Sequence, residues 1–236
     1  MGFIQYYDII NIIMDREKLL KFYSDSWNER SKHHSTQTVE RWNERAKHWG
    51  EALDEKIDNN KKRNVDIVHC LQNRGVLGKN VSVIDVGAGV GLSAIEFSPY
   101  VKDVLCLDFS ENMCQIGNQM VINNGINNIS FKCCDFETLD IEKEGYTGKF
   151  DLVFSAISPA IRSTKAIEKY LKLSKKYCCN VSFVSRSRKI DTHGHPDFDN
   201  FYTLVNLLFL KGYYPEVSYI NDESTGSVYG VTIWTV

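Results

Sequence analysis

The stretch Val81-Ser-Val-Ile-Asp-Val-Gly-Ala-Gly-Val-Gly-Leu92 decides the fold, because a short apolar run leads directly into three glycines. The run is rich in β-branched residues, as a strand buried on both faces of a sheet should be. Glycine at positions 87, 89 and 91 lets the backbone adopt positive φ angles and lets a ligand approach closely. From Leu92 onward we predict a helix whose free N–H groups point at that ligand. We interpret the stretch as the floor of a nucleotide-type cofactor site.

The spacing of the glycines indicates which cofactor binds there. A dinucleotide fingerprint, Gly-x-Gly-x-x-Gly, would place its third glycine at position 92, which is leucine. Here the third glycine is Gly91, and Asp85 precedes the first glycine by two residues. The pattern Asp-x-Gly-x-Gly-x-Gly resembles motif I of the class I methyltransferases that depend on S-adenosylmethionine (SAM). A purely structural turn between a strand and a helix is the alternative for the loop taken alone.

The chain after the loop alternates predicted strands and helices, which indicates an α/β fold with a doubly wound, mostly parallel sheet. The first five strands are predicted at about 81–86, 103–108, 129–134, 150–155 and 178–184. Helices are predicted at about 91–98, 110–124, 136–143, 163–175 and 198–210. Two further strands at 216–221 and 228–236 bring the sheet to seven. Class I methyltransferases end similarly, in an antiparallel hairpin, and the resemblance covers residues 76–236.

Residues 1–75 contain almost no strand signal, and we predict that they form an N-terminal helical extension ahead of a SAM-binding catalytic domain at 76–236. Within the extension, Trp42 and Trp49 are seven residues apart, which places both indoles on one face of a helix that Gly50 is predicted to end. This face either packs on the core or forms a lid that contacts the substrate. Similar Trp-x-x-Arg-Ala segments precede the core in many small-molecule methyltransferases, and aromatic faces attract a cationic sulfonium.

The charge of the chain favours a small-molecule substrate. Its 28 Lys and Arg residues are balanced by 30 Asp and Glu residues, so it lacks the basic excess that captures nucleic acid. The basic run Lys61-Lys-Arg63 is interpreted as a solvated helix start. The chain also lacks a signal-peptide pattern and any window of about 18 apolar residues, so we expect a cytoplasmic protein with no membrane partner. Its oligomeric state stays open.

The seven cysteines are predicted to be buried, reduced thiols. Two pairs, Cys133-Cys134 and Cys178-Cys179, are adjacent within apolar runs. Adjacent residues on a strand point to opposite faces, so neither pair suits a disulfide framework or a zinc site.

Ligands of a doubly wound sheet bind beyond the carboxyl ends of its strands, so acidic residues at strand ends are candidate cofactor ligands. Asp108 ends the second predicted strand, where its carboxylate can accept hydrogen bonds from ribose hydroxyls. Phe109 is assigned to the same site, and Met113, one turn further, either covers the nucleoside or belongs to the core. The resemblance further implies that Asp135 meets the adenine amino group and that Phe136 packs on the adenine ring.

The fourth predicted strand ends at Ser155, where donor and acceptor should meet. The Asn/Asp-Pro-Pro-Tyr/Phe signature of methyltransferases that act on nucleobase amines is absent there, which disfavours a nucleic-acid substrate. Asp151 is predicted to stabilise the start of this strand. The predicted cofactor-binding residues are Asp85, Gly87, Ala88, Gly89, Gly91, Asp108, Phe109, Met113, Asp135, Phe136 and Ser155.

A dense group of ionisable residues follows the fifth predicted strand. Arg186 and Arg188 are predicted to hold an anionic substrate group, because a guanidinium pairs bidentately with carboxylate or phosphate. His193 or His195 is the candidate general base. An ordinary solvated loop is one alternative. The other is a metal site formed by these histidines with Asp191 and Asp197, although we expect no metal.

Together these patterns predict a SAM-dependent methyltransferase that acts on an unidentified small molecule by in-line displacement and releases S-adenosylhomocysteine (SAH). The methyl group is already activated, so the protein mainly aligns the reactants and excludes water. A general base is needed only if the acceptor must first lose a proton. The alternatives are a SAM-binding sensor or partner subunit without turnover, an RNA methyltransferase, and an NAD(P)-dependent oxidoreductase.

Overall fold

The computed structural model describes residues 15–33, 38–185 and 199–236. Its helices are α1 (Arg16–His33), α2 (Val39–Glu51), α3 (Leu53–Asn73), α4 (Leu92–Phe97), α5 (Glu111–Asn123), α6 (Thr164–Leu173) and α7 (Asp199–Leu210). Its strands are β1 (Ser82–Val86), β2 (Asp103–Asp108), β3 (Ile129–Cys133), β4 (Phe150–Ala156), β5 (Ser174–Ser185), β6 (Glu216–Asp222) and β7 (Ser227–Thr235). A short 3₁₀ helix, Ser98–Tyr100, follows α4.

The seven strands form one sheet in the order β3-β2-β1-β4-β5-β7-β6. Strands β1 to β5 pair in parallel, and β7 lies antiparallel between β5 and β6. The prediction of a doubly wound, mostly parallel sheet with a C-terminal antiparallel hairpin is therefore confirmed. The order reverses at β1, whose neighbours are β2 and β4, so the carboxyl end of β1 is the expected ligand crevice.

Helices cover both faces of the sheet, because successive residues of a buried strand face opposite sides. One core cluster contains Ile84 with residues of α1, α6 and α7, and the other contains Val83 with residues of α3 and α4. Cys178 and Cys179 divide between the same two clusters. This division explains why Cys178 and Cys179 do not act as a unit.

Three helices begin at side chains that cap the backbone. Thr38, Ser110 and Ser163 accept hydrogen bonds from the backbone N–H groups three residues later, at the starts of α2, α5 and α6. Such caps satisfy one of the otherwise free N–H groups of a helix. Within the described ranges, no helix has both the length and the apolar character needed to cross a membrane.

The predicted helix at 136–143 is wrong, because this segment consists of turns. The Asp135 carboxylate accepts a hydrogen bond from the Glu137 N–H over 3.0 Å, and the Asp140 carboxylate accepts one from the Glu142 N–H over 3.2 Å. Aspartate side chains that bind the backbone two residues on favour turns over helix.

The predicted helix end at Gly50 is also wrong. Helix α2 continues to Glu51, and the Ala52 N–H still bonds to the His48 carbonyl over 3.2 Å. The break lies at Ala52, where φ is −122° and α3 begins one residue later.

The cysteine prediction is confirmed in part. All seven thiols are free. Four are buried, but Cys70 and Cys134 are half-buried and Cys133 is exposed. Cys133 is the last residue of β3, which lies at the edge of the sheet and is mostly not buried.

Candidate active site

A cavity of about 230 Å³ opens at the carboxyl ends of the first four strands. Its wall contains the glycine loop after β1, Asp108 and Phe109 after β2, Cys134 to Phe136 after β3, and Ala156 to Ala160 after β4. Residues of α2 and α3 complete the wall. The cavity therefore lies in the predicted crevice, and the N-terminal helices form part of it.

The glycine loop requires glycine at all three positions. Gly87, Gly89 and Gly91 have φ angles of +74°, +58° and +80°, which side chains rarely tolerate. A Cβ atom on Gly87 would lie 1.8 Å from Ser158 Oγ, and one on Gly91 would lie 2.7 Å from Phe131 Cζ. Around Gly89 the space is open. Gly87 and Gly91 are thus needed for close packing as well as for their backbone conformation.

Hydrogen bonds fasten the loop to strand β2. The N–H groups of Gly87 and Ala88 both donate to the Leu107 carbonyl, over 2.8 and 2.9 Å. The Gly89 N–H donates to Asp108 Oδ2 over 2.8 Å. These bonds place the loop backbone and the Asp108 carboxylate at one corner of the cavity.

Asp108 is the acidic group at the centre of this corner. Its other oxygen, Oδ1, accepts from the Ser110 N–H over 2.9 Å, and the residue is only 8% exposed. Burial raises the pKa of Asp108, although the backbone N–H groups of Ser110 and Gly89 oppose this shift. A carboxylate has roughly four acceptor sites, so about two remain for a ligand hydroxyl pair. The geometry is compatible with the predicted ribose role.

Asp85 lies in β1, two residues before Gly87, with 2% of its surface exposed. Burial, and then the nearby charge of Asp108, raise its pKa to about 8. Asp85 is therefore mostly protonated at neutral pH. Among the described residues it is not part of the cavity wall, so its predicted contact with the cofactor stays a prediction.

Asp135 reaches the cavity at the end of β3, but it already has a partner. Arg162 Nη2 lies 2.6 Å from both carboxylate oxygens of Asp135. The guanidinium also lies 6.0 Å from the centre of the Phe109 ring. Arg162 is not predictable from the sequence, because no local pattern pairs a residue before α6 with one after β3.

Three predicted cofactor-binding residues, Phe109, Phe136 and Met113, differ in exposure. Phe109 is half-buried in the cavity wall, and its ring centroid lies 6.4 Å from that of Trp42. Phe136 also reaches the wall but is 97% buried in the core. Met113 is similarly buried and touches the cavity. Phe109 is therefore the most exposed of the three.

Ser155, at the end of β4, is outside the cavity wall, so its predicted contact with the cofactor stays a prediction. Its hydroxyl donates to the Val86 carbonyl over 2.8 Å, and the side chain is 1% exposed. This bond joins β4 to β1, while the next residues, Ala156 and Ile157, reach the cavity. Ile157 has φ of +50°, which is rare for a β-branched residue. Such strain costs about 1–3 kcal/mol and tends to occur at functional sites.

At the start of β4, the Asp151 carboxylate accepts from both the N–H and the hydroxyl of Ser82 in β1, over 2.9 and 2.7 Å. The predicted stabilising role of Asp151 is therefore confirmed.

Helix α2 brings Trp42 and Trp49 to the cavity together, as their spacing predicts. Between them, Ala46 is fully buried and packs against Val90 and Met113. These contacts hold the α2 face over the glycine loop and the start of α5.

A polar contact also fixes α2 beside Asp108. The Ser110 hydroxyl donates to Asn43 Oδ1 over 2.6 Å, and Asn112 Nδ2 donates to the Asn43 carbonyl over 3.2 Å. The N-terminal turn of α5 therefore contacts both α2 and the Asp108 carboxylate. We infer that the position of α2 and the geometry at Asp108 depend on each other.

Helix α3 contributes Asn60, Arg63 and Asn64 to the cavity wall. The prediction that Lys61-Lys-Arg63 starts a helix is wrong, because α3 begins at Leu53. The prediction that the run is solvated is wrong for Arg63, which lines the cavity. Successive helical residues point about 100° apart, so Lys61 and Lys62 are exposed while Arg63 faces inward.

Four predicted site residues, Arg186, Arg188, His193 and His195, lie outside the described residues, as do Asp191 and Asp197. Among the residues that the structure places, no group of three or more His, Cys, Asp or Glu side chains is arranged to hold a metal ion.

The sheet and the glycine loop lie in a part of the chain that is similar to known methyltransferases. Residues 83–178 match the family described as methyltransferase domain. An uncharacterized methyltransferase of Bacillus subtilis (strain 168), YcgJ, is 27% identical over 95 residues, and the match covers 37% of this chain but only 36% of that protein's length.

Two solved structures share the fold. A SAM dependent methyltransferase from Aquifex aeolicus has a TM-score of 0.58 and 19% identity, over 77% of this chain and 96% of that chain. Magnesium protoporphyrin IX methyltransferase (ChlM) from Synechocystis PCC 6803, with bound SAM, has a TM-score of 0.54 and 17% identity, over 75% of this chain and 79% of that chain. Residues 83–178 therefore match a methyltransferase domain, and they lie within a Rossmann-like fold that this chain shares with methyltransferases of known structure.

Proposed function

We propose that this chain transfers a methyl group from SAM to a small-molecule acceptor and releases SAH. One observation carries the proposal: the Asp108 carboxylate lies in the cavity wall and is bonded to the Gly89 N–H of the glycine loop. The two ribose hydroxyls need hydrogen-bond acceptors at the end of the second strand. A purely structural turn needs no such acceptors there. The methyltransferase domain match over residues 83–178 supports the same activity.

The residues present fit SAM. Asp108 would hold the ribose hydroxyls. The glycine loop would hold the methionine end of SAM, because the space around Gly89 is open. Asp135 and Phe136 would meet the adenine, with Phe109 as a further ring surface. When bound, SAM supplies a methyl group that its sulfonium charge has already activated.

Helix α2 would act as a lid over this site. Trp42 and Trp49 present aromatic surface to the cavity, and such surface attracts a cation and excludes water. In this organisation residues 1–75 form the helical extension and residues 76–236 the catalytic domain. Alignment of the acceptor with the methyl group is then the main task of the chain. His193 or His195 would serve as general base where the acceptor must lose a proton.

A small acceptor is favoured over RNA. The cavity is enclosed by residues of α2 and α3 in addition to the strand ends. The net charge of −2 also gives the chain no overall attraction to phosphates.

A turnover experiment tests the proposal. The protein would be incubated with SAM and pools of small metabolites bearing hydroxyl, amine, thiol or acidic carbon groups, and SAH release would be measured. We expect release above the no-acceptor rate with at least one pool, and loss of that excess in Asp108→Ala. Binding of SAH without turnover on any pool would instead favour the non-catalytic sensor or partner subunit. Turnover with RNA alone would favour the RNA methyltransferase.

A further inference from the structure

One wall of the cavity contains a cation that the proposed cofactor contacts do not use. Asn60, Arg63 and Asn64 lie within about one turn of α3 and all reach the cavity. The next inward positions of this helix, Ile67 and Leu71, are fully buried. The polar group therefore sits where the core-facing side of α3 meets the cavity.

Arg63 has no acidic partner among the residues that the structure describes. Its Nε atom is buried and has no hydrogen-bond partner. The nearest defined contact of the guanidinium is the Tyr229 ring, whose centroid lies 5.3 Å from Cζ. By contrast, Arg162 in the same cavity is paired with Asp135. A partly buried cation without a counter-charge is costly, so Arg63 indicates that an anion occupies its side of the cavity.

Strand order places this cation away from the proposed cofactor contacts. Tyr229 lies on β7, which is three strands from β1 in the sheet. At about 4.8 Å per strand, this separation is roughly 14 Å. The proposed cofactor residues follow β1, β2 and β3, on the other side of β4. The Arg63 guanidinium therefore lies toward the β7 side of the cavity, which remains for the methyl acceptor, whereas its neighbour Asn64 contacts Ser93 at the start of α4, beside the glycine loop.

The two asparagines around Arg63 have donors to spare. Asn64 Oδ1 accepts from the Ser93 hydroxyl over 3.4 Å, which leaves the Asn64 NH₂ group to donate. Asn60 Nδ2 donates to the Lys56 carbonyl over 2.7 Å and keeps one further N–H. A planar guanidinium flanked by amide donors is suited to a carboxylate, which accepts up to about four hydrogen bonds.

We propose that Arg63, with Asn60 and Asn64, binds a carboxylate of the methyl acceptor, so that the substrates are small carboxylic acids. The inference rests on the proposed methyl transfer, because it assigns the acceptor side of that site. Arg63 would fix the orientation of the acceptor and leave its nucleophilic atom to face the methyl group.

Binding to the SAH-loaded protein tests this assignment. The probes are matched pairs that differ only in carboxylate against carboxamide: glycine and glycinamide, 3-hydroxybenzoate and 3-hydroxybenzamide, 3-mercaptopropionate and its amide. Dissociation constants would be measured by ligand-observed NMR for wild type, Arg63→Met, Arg63→Lys and Lys62→Met. Lys62 is exposed on the same helix, so Lys62→Met is a matched loss of one positive charge.

For the pair that binds best, we expect wild type to prefer the carboxylate by at least tenfold. Arg63→Met should abolish this preference, Arg63→Lys should restore part of it, and Lys62→Met should leave it unchanged. Equal binding of carboxylates and amides by wild type, or binding of no carboxylate, overturns the proposal.

A separate control tests whether Arg63 serves the cofactor instead. If Arg63→Met weakens SAH at least tenfold but leaves 5′-methylthioadenosine unaffected, Arg63 binds the carboxylate of the cofactor and the assignment to the acceptor is wrong. Failure of the proposed function is distinct, because it would appear as wild-type protein that does not bind SAH.

Discussion

Gly89 and Asp108 are joined by a hydrogen bond of 2.8 Å from the Gly89 N–H to Asp108 Oδ2. This bond links the loop after β1 to the acidic end of β2, at the point where the strand order reverses. The loop and the carboxylate therefore form one structural unit, and changes at either residue should alter the other. Cofactor affinity and local stability are expected to be coupled at this corner.

Replacement of Asp108 by alanine should weaken SAH binding roughly 10- to 100-fold, because a hydrogen bond to a charged group is worth about 1.5–3 kcal/mol. The melting temperature should also fall, since the N–H groups of Gly89 and Ser110 lose their acceptor. Calorimetric titration and thermal unfolding measure the two effects. Asp103→Ala, at the exposed start of the same strand, is the control and should change neither. Unchanged SAH affinity in Asp108→Ala would refute the ribose role.

Gly87→Ala should lower the free energy of unfolding far more than Gly145→Ala. Both glycines have positive φ, +74° and +65°, but only a Cβ on Gly87 meets another atom, 1.8 Å from Ser158 Oγ. Gly145→Ala should cost about 1–3 kcal/mol of backbone strain, whereas Gly87→Ala should cost more because the turn after β4 must also move. Urea unfolding of the two variants gives the comparison. Equal losses of stability would show that the Ser158 contact is unimportant.

The raised pKa of Asp85 should cause the free energy of unfolding to fall as pH rises. Burial and the charge of Asp108 raise its pKa to about 8 from an unfolded value near 3.8. Between these values the native state binds more protons than the unfolded chain, so the unfolding free energy falls from about pH 4 to about pH 8. Asp85→Asn removes this contribution and should gain stability relative to wild type across that range. The check is urea unfolding of both proteins at pH 5 and pH 8; a pH-independent difference between them contradicts the assignment.

Trp42 should matter for ligand binding more than for folding. It is partly buried in the cavity wall beside Phe109, whereas Trp27 is 9% exposed within the main core cluster. We expect Trp42→Leu to lower SAH affinity several-fold with little change in melting temperature, and Trp27→Leu to do the reverse. Fluorescence titration and thermal unfolding separate the two behaviours. If Trp42→Leu binds SAH as wild type does, α2 does not cover the cofactor.

The strands and the cavity position were predictable from sequence because they depend on local signals. Buried apolar runs define β1, β2 and β4 to within one residue at each end. The glycine spacing and Asp108 then locate the crevice, because parallel strands end at the same edge of a sheet. The placement of Trp42 and Trp49 on one face of α2 followed from their spacing alone.

Other features depend on tertiary contacts that no local pattern encodes. The pairing of Arg162 with Asp135 joins the residue before α6 to the one after β3. The inward direction of Arg63 depends on which face of α3 packs on the sheet, and the basic run around it suggested the opposite. The turn segment at 136–143 was misassigned because aspartate side chains compete with helical hydrogen bonds there.

Calorimetric titration of wild-type protein with SAH, SAM, NAD⁺ and NADP⁺ tests the central claim most directly. We predict saturable one-to-one binding of SAH and SAM, and no binding of either dinucleotide, because the loop has leucine rather than glycine at position 92. Binding of a dinucleotide without binding of SAH or SAM would contradict the assignment.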